Sequence, residues 1–362
     1  MNGQSFLLIM TIQFCLIYEF NVSQHNTNDE EISVLKDNNR RNCSYVYEDV
    51  FCDCDEDNYE LKCYNVEASE DLIFAFNYVL NVTKIYYWTL LEVQCINPFD
   101  SVTKTFHITN ELFTTGPKFE KIVFVGDCSK AKHYDNLLAV DRDIESIVMT
   151  KNTVRMATTC QMFQTKLERL QELTITDSLM AGDMISATFS TKCLGQYGTR
   201  NEALPLVRLR IRSCNVTLIE SGAFFNLAEL QSIDLSDNQL THLSRQVFAS
   251  HLYKLRSFRL SNNRLTALSA DFFEKLPQLR ELDLSGNLLT TLPFISATGA
   301  PQVIHLAANP WDCRCKLVWI INDSNDKSEN QRFFDGPLCA TPEAVENYAL
   351  MDGLRFVDQR FC

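Results

Sequence analysis

The chain has 362 residues, of which 46% are hydrophobic, and it carries a net charge of −13 with a pI near 5.0. This length and apolar content are enough for a substantial core. The acidic balance argues against broad nucleic-acid binding, which needs a basic surface, and disfavours attraction to an anionic membrane face.

The N-terminal residues predict a signal peptide followed by a polar leader. Residues 5–20 form an apolar run that Gln13 interrupts and Glu19 closes, and a small residue, Ser23, follows. Because the run is too short and too polar for a comfortable membrane span, we interpret residues 1–23 as a cleaved signal peptide; an uncleaved anchor is the alternative. Residues 24–42 are polar and aperiodic, which predicts a disordered leader. No second apolar run occurs, so we expect a secreted, extracellular protein with no membrane span.

Cysteine-rich segments flank the middle of the chain. The chain has 14 cysteines, which fits an oxidising, extracellular compartment. Residues 43–81 contain four of them in a C-x8-C-x-C-x8-C pattern, and residues 310–362 contain a Cys-x-Cys followed by two further cysteines. We interpret both segments as caps that cover the apolar ends of a repeat array. A zinc site is the alternative for the first cap, and spacing and compartment both disfavour it.

Between the caps one pattern recurs, L-x-x-L-x-L-x-x-N-x-L. Clear copies start at Leu206, Leu230, Leu255, Leu279 and Pro301, and degenerate copies start at Val82, Phe119, Ile144 and Leu170. We therefore expect about nine leucine-rich repeats across residues 82–309. The predicted fold class is an α/β solenoid: a leucine-rich-repeat horseshoe with a concave parallel β-sheet, an irregular convex side and disulfide caps at both ends.

Each position of the repeat has a predicted role. Positions 1, 4, 6 and 11 are apolar and should point into the core, whereas positions between them along the strand should point outward. Position 9 should form a hydrogen-bonded ladder, because a buried asparagine amide can donate and accept between neighbouring coils; it is occupied by Asn238, Asn263, Asn287 and Asn309. The neighbouring Asn262 should face outward and matter little for stability.

Two further features should lie inside the array. Cys214 takes the asparagine position one coil earlier, where we expect a free, buried thiol. Phe224, Phe248 and Phe273 share one offset from their repeat starts and predict a stacked aromatic spine. A hydrophobic ligand channel is the alternative interpretation of that stripe. Of the remaining cysteines, Cys160 with Cys193 is a reasonable pair and Cys95 with Cys128 a guess; the connectivity stays open.

The sequence lacks recognisable catalytic chemistry. It contains no nucleophile elbow, phosphate loop, HExxH or dinucleotide fingerprint, and its six histidines are scattered. We expect no catalytic, cofactor-binding or metal-binding residues, and no enzyme. Glycosylation acceptor sequences occur at Asn42, Asn81, Asn215 and Asn322.

The outward strand positions supply the candidate binding residues. Position 5 holds Val123, Val148, Thr174, Arg210, Asp234, Arg259, Asp283 and His305, and adjacent columns add Arg208, Arg212, Arg256 and Arg280 against Glu281. Two interpretations remain open. The alternating signs could form a self-neutralising ladder. Alternatively, an excess of positive charge could dock an acidic protein or sulfated glycan through Arg208, Arg210, Arg212, Arg256 and Arg259.

The motifs together resemble the extracellular leucine-rich-repeat proteins with two cysteine-rich caps. In that family the cap cysteines pair first with third and second with fourth, which implies Cys43–Cys54, Cys52–Cys63, Cys313–Cys339 and Cys315–Cys362. Arg314 stands where an acidic residue is more usual. The stretch from ELKC at Glu60–Cys63 through EDLIFAF at Glu70–Phe76 is similar to the non-catalytic repeat subunit of a secreted shrimp luciferase and its arthropod relatives.

A solenoid offers a long surface rather than a pocket, so the expected function is binding. We expect a secreted, non-enzymatic protein-binding module that uses its concave face in extracellular recognition, adhesion or signalling. The alternative is a structural or matrix protein, or a non-catalytic subunit that stabilises a secreted partner. The sequence leaves the ligand, a protein or an acidic glycan, unidentified.

Overall fold

A computed structural model describes most of the repeat array and parts of both predicted caps. The described residues are 45–47, 50–66, 69–95, 117–126, 143–151, 153–155, 169–181, 188–189, 205–224, 227–248, 252–269, 271–295, 301–314, 317, 319–320, 333–335, 337–343, 346–350 and 352–354. The predicted signal peptide and leader lie outside these residues. The chain divides into two compact units, Met1–Thr153 with Gln161–Arg169, and Val154–Cys160 with Leu170–Cys362.

The first unit contains a six-stranded sheet and one helix. Its elements are β1 (Tyr45–Tyr47), β2 (Val50–Asp55), β3 (Glu60–Val66), α1 (Ser69–Thr83), β4 (Tyr87–Cys95), β5 (Lys118–Val125) and β6 (Ser146–Thr150). The strands lie in sequence order; β1, β2 and β3 pair antiparallel, and β3 through β6 pair parallel. The change to parallel pairing marks the start of the repeat-like coils.

The predicted start of the first coil at Val82 is wrong. Val82 lies near the end of α1 and is 40% exposed. The inward residues of the first coil are instead Trp88, Leu91 and Val93, each at most 2% exposed. The apolar spacing of Val82, Ile85 and Tyr87 suggested a strand, but helix and strand are hard to distinguish in a short apolar run.

The second unit contains the regular repeats. Its strands are β7 (Thr153–Arg155, which begins at the unit boundary), β8 (Glu172–Thr176), β9 (Leu179–Ala181), β10 (Thr188–Phe189), β11 (Arg208–Arg212), β12 (Leu218–Ile219), β13 (Ser232–Asp234), β14 (Ser257–Arg259), β15 (Glu281–Asp283), β16 (Val303–His305), β17 (Trp311–Asp312), β18 (Phe333–Asp335) and β19 (Cys339–Thr341). In this unit the main sheet runs β8-β11-β13-β14-β15-β16-β18, and adjacent strands pair in parallel. This unit is a parallel β-solenoid of leucine-rich repeats.

Asparagine side chains join successive coils of this unit. Asn238 Oδ1 accepts the N–H groups of Cys214 (3.1 Å) and Val216 (3.0 Å), while its Nδ2 donates to the carbonyls of Ile211 (2.7 Å) and Leu235 (2.9 Å). Asn263, Asn287 and Asn309 make equivalent bonds, and all four are at most 8% exposed. These amides satisfy buried backbone groups that no strand pairing reaches.

Cys214 takes over the donor role of the asparagine in its coil. The thiol is free and fully buried, and it donates to the carbonyls of Ile175 (3.3 Å) and Arg212 (3.1 Å). These acceptors lie in the preceding coil and in its own coil, as they do for the asparagines. Burial raises the pKa of the Cys214 thiol to about 11. The thiol therefore stays neutral at physiological pH and contributes only a weak donor.

The aromatic spine exists, but one predicted member is wrong. Phe224 and Phe248 stack with ring centroids 5.7 Å apart, and Phe248 packs against Phe272 at 5.6 Å, not against Phe273. Phe272 is fully buried, whereas Phe273 is half-buried. Phe248 and Phe272 each precede the next coil by seven residues. Phe224 lies six residues before the next coil, so the position of the spine residue varies by one residue between coils.

Position 8, at or beyond the C-terminal end of the strand, adopts a left-handed backbone. Position 8 has φ between 50° and 57° at Lys151, Asp177, Ser213, Asp237, Asn262 and Ala308. Asn262 also donates from Nδ2 to Asp237 Oδ1 (2.8 Å). Asn262 is exposed, as expected. Its left-handed conformation, which disfavours most side chains and tolerates asparagine, and its bond to Asp237 give a physical reason to expect some loss of stability on replacement.

Disulfides lie in both predicted caps. Cys52 bonds to Cys63 between β2 and β3, and Cys313 bonds to Cys339 between β17 and β19; the resemblance implies both pairs. Cys54 and Cys95 are also disulfide-bonded. The other cysteines of the implied and suggested pairs, Cys43, Cys128, Cys160, Cys193, Cys315 and Cys362, lie outside the described residues.

Candidate functional site

The outward side of the second unit's sheet presents side chains in rows. Register pairing places Arg210 beside Asp234, Asp234 beside Arg259, Arg259 beside Asp283, and Asp283 beside His305. Each row crosses strands that are about 5 Å apart. We call the side chains at positions 2, 3, 5, 7 and 8 of the six coils that contain β8, β11 and β13–β16 the strand face.

Four of the five predicted binding arginines are paired with an acidic residue of a neighbouring coil. The pairs are Arg208 with Glu172 (3.7 Å), Arg210 with Asp234 (3.3 Å), Arg212 with Asp237 (2.6 Å) and Arg259 with Glu281 (3.2 Å). The arginine side chains remain 45–55% exposed, so each pair is worth only about 0–1 kcal/mol. These pairs match the self-neutralising ladder among the two interpretations.

Asp237 is a carboxylate of the strand face that contacts both neighbouring coils. It accepts from Arg212 Nε through Oδ2 (2.6 Å) and from Asn262 Nδ2 through Oδ1 (2.8 Å), so it links three coils. The hydrogen bond and charge of Asp237 raise the pKa of Arg212. The sequence comparison missed Asp237 because it covered only the outward positions in and beside the strand. Asp237 is at position 8, beyond the C-terminal end of the strand.

The charges of the strand face balance, so the expected excess of positive charge is wrong for the face as a whole. It carries six arginines, Arg208, Arg210, Arg212, Arg256, Arg259 and Arg280, and six acidic residues, Glu172, Asp177, Asp234, Asp237, Glu281 and Asp283. The prediction omitted Glu172, Asp177 and Asp237. Any electrostatic docking must therefore depend on local arrangement rather than on total charge.

Arg256 is the exception among the five predicted arginines. It is exposed at position 2, and so is Arg280 at the same position of the next coil. Within the described residues neither guanidinium forms an ion pair. The sequence placed both in a column beside the strand, but it gave no reason to separate them from the paired arginines.

The outward face of the first unit's sheet is different in character. Register pairing places Glu92 beside Val123 and Val123 beside Val148, and both valines are half-buried. Toward β2, Phe51 stacks on Tyr64 with ring centroids 4.6 Å apart. The predicted outward positions Val123 and Val148 thus form an uncharged strip.

The remaining predicted site residues can be placed in part. Asn81, on α1, and Asn215, at position 10, are exposed, whereas Asn42 and Asn322 lie outside the described residues. In the part of the chain that the structure describes, no group of three or more His, Cys, Asp or Glu residues is arranged to hold a metal ion. Among the described helices, none has the length and apolar content to cross a membrane.

Comparison with known proteins supports the repeat interpretation. Residues 205–252 and 253–309 match the family model described as leucine rich repeat. The chain is 37% identical over 73 residues to a phospholipase A2 inhibitor of Gloydius brevicaudus siniticus, which covers 20% of this chain and 22% of the relative. It is 31% identical over 117 residues to vasorin of Mus musculus, which covers 31% of this chain and 17% of the relative. It is 48% identical over 44 residues to the platelet glycoprotein Ib beta chain of Mus musculus, which covers 12% of this chain and 21% of the relative.

These matches confirm a relation to leucine-rich-repeat proteins of the secreted and extracellular kind. They give no support to the narrower resemblance to a luciferase subunit. The aligned regions span about a fifth of the length of the curated relatives.

Proposed function

We propose that this protein is a secreted, non-enzymatic protein-binding module that docks its partner on the strand face. The observation that carries the proposal is the strand face itself: regularly spaced, exposed polar side chains on a backbone that buried asparagines fix from coil to coil. A pre-organised surface loses little conformational entropy when it binds. The disulfides support secretion, because such bonds persist in oxidising compartments.

The relatives support binding as the function class. One is named as an inhibitor of a phospholipase A2 and another as a chain of a platelet glycoprotein. For this chain we infer protein recognition of the same broad kind, in extracellular recognition, adhesion or signalling.

A glycan introduced on the strand face tests the proposal without assumptions about the partner's chemistry. The double change Ser257→Asn and Arg259→Thr creates an acceptor sequence at the centre of the face. The single change Arg264→Asn creates one in the same coil at exposed position 10, off the face. Arg259→Thr alone controls for the lost ion pair with Glu281.

Wild type and the three variants would be secreted, checked for glycan occupancy by intact mass, and used to capture partners from extracellular fluid. We expect the strand-face glycan to abolish capture and both controls to retain it. Capture that survives the strand-face glycan would refute the proposed site. Native sizing of the secreted protein addresses the alternative, because an obligate non-catalytic subunit would elute with its partner.

A further inference from the structure

Arg256 and Arg280 form an uncompensated pair of like charges on the strand face. They occupy position 2 of adjacent coils, and the Arg280 N–H donates to the Arg256 carbonyl at 2.8 Å. Their side chains therefore start about 5 Å apart, the spacing of paired strands. Both side chains are exposed. Like charges directly opposite each other on neighbouring strands are unfavourable, so this arrangement departs from the pairing seen elsewhere on the face.

Two acidic residues close to the pair in sequence or in the neighbouring coil are engaged by other groups. Glu281, which follows Arg280 in sequence, accepts from Arg259 (3.2 Å) and from Ser257 Oγ (3.3 Å). Glu229 is paired with Lys254 at 2.5 Å. The flanking position-2 residues, Gln231 and Gln302, are neutral. Within the described residues the two guanidiniums are thus left with all their side-chain donors facing solvent.

We propose that Arg256 and Arg280 are the anchor point of the strand face for an acidic segment of a partner protein. A planar guanidinium donates two parallel hydrogen bonds to a carboxylate, and two guanidiniums at this spacing can bind a segment with two neighbouring carboxylates. The partner segment is acidic because other arginines of the face have an acidic partner within the fold, whereas Arg256 and Arg280 have none among the described residues. An acidic segment would supply that missing negative charge. The inference rests on the proposed function and assigns its local chemistry.

The test uses the full secreted chain and a labelled hexaglutamate peptide as the probe, with binding followed by fluorescence anisotropy at low and at physiological salt. The test variant is R256S/R280S. The matched control is R208S/R212S, which removes the same charge from the same face at arginines that already have acidic partners. R256K/R280K keeps the positive charge and removes the planar guanidinium groups. Circular dichroism melting checks that the variants fold.

We expect R256S/R280S to weaken hexaglutamate binding about tenfold or more, and R208S/R212S to change it by less than about threefold. R256K/R280K should fall between them. Equal losses in the two serine variants would overturn the proposal, since binding would then follow total charge. So would wild-type protein that ignores hexaglutamate but binds a sulfated oligosaccharide, because the partner would then be a glycan. If these arms fail while the strand-face glycan still blocks native capture, the inference is wrong and the proposed function stands.

Discussion

The two units differ in the length of the strands that pair between their coils. In the first unit β4 and β5 are nine and eight residues long, and seven register pairs connect them. In the second unit β13, β14, β15 and β16 are three residues each and share three register pairs with each neighbour. There the asparagine amides bond the backbone groups beyond the strand ends. In the second unit, one buried side chain per coil thus adds inter-coil hydrogen bonds to those of a short paired strand.

Strand length and the residue at position 9 change together along the second unit. The four coils with three-residue strands carry a buried asparagine at that position. A position-8 bond is common to both units: Gly126 donates its N–H to the Thr150 carbonyl (3.0 Å), and Asp237 donates its N–H to the Ser261 carbonyl (2.9 Å). Intermediate cases are β8 and β11, each five residues long, where Ser178 and Cys214 replace the asparagine.

The largest expected effect is loss of a disulfide, and its size should differ between the two units. Removing Cys313–Cys339 by double alanine substitution should cost about 2–5 kcal/mol of unfolding free energy. Removing Cys52–Cys63 should cost ~0.8 kcal/mol less, because its loop spans 11 residues rather than 26. Five register pairs also hold β2 to β3. Urea unfolding measures both; a larger loss at Cys52–Cys63 would contradict the ranking.

Asparagine removal tests the comparison directly. Asn263→Ala deletes the acceptor of the Leu240 N–H (3.0 Å) and a donor to the Leu235 and Leu260 carbonyls, all buried. We expect a loss of about 1–3 kcal/mol. The comparison amide in the first unit is Gln94 on β4, at position 7 of its coil, half-buried and bonded to Glu92. Gln94→Ala should change stability by less than about 0.5 kcal/mol. Equal losses at the two positions would remove the distinction between the units.

Asn262 separates backbone strain from hydrogen bonding. Asn262→Ala should cost about 1 kcal/mol, because alanine is disfavoured at φ 55° and the bond to Asp237 is lost. Asn262→Gly loses the same bond but relaxes the backbone restriction, so it should cost less. Thermal melting of the pair reports the order. If glycine costs more than alanine, backbone strain is not the main contribution at this position.

The sequence predicted the inward positions well because they depend on local periodicity. The strand registers agree with the starts from Phe119 to Pro301, and the inward strand residues of these coils are buried. The errors came from non-local choices. Val82 lies in a helix whose apolar spacing resembles that of a short strand. Phe272, not Phe273, lies in the spine because the position of the buried aromatic varies by one residue between coils of equal length. The predicted excess of positive charge on the strand face was wrong because Glu172, Asp177 and Asp237 join that face only when the coils are stacked in register.

Replacing Cys214, in the coil with the five-residue strand β11, should have a smaller effect on stability. Its thiol already occupies the donor position of the ladder, and an asparagine there would bring a stronger donor to the Ile175 carbonyl. Cys214→Asn should stabilise the protein by up to about 1 kcal/mol, and Cys214→Ala should destabilise it by about 1 kcal/mol. Urea unfolding distinguishes the two. An asparagine variant as unstable as the alanine variant would mean that the cavity at Cys214 cannot hold the amide.

The smallest effect concerns Arg314, in the closing cap of the second unit. Arg314 Nε donates to both oxygens of Asp312 (2.7 and 2.8 Å), and Thr341 Oγ1 donates to Asp312 Oδ1 (3.0 Å). The hydrogen bond from Arg314 is the main reason that the pKa of Asp312 is lowered. Because the folded-state pKa lies below the unfolded one, the pair stabilises the protein above the ordinary aspartate pKa, and this contribution disappears as pH falls through the lowered value.

Arg314→Ala should therefore lower the melting temperature slightly at pH 7, with the difference from wild type vanishing below about pH 4 and shrinking in high salt. Arg314→Asp, which restores the acidic residue more usual here, sharpens the test. A second carboxylate beside Asp312 disfavours ionisation of Asp312 and raises its pKa. The pH range in which ionisation of Asp312 changes the stability of the protein should therefore move to higher pH than in wild type. A wild-type pH profile in the Asp variant would mean that Arg314 does not control the ionisation of Asp312.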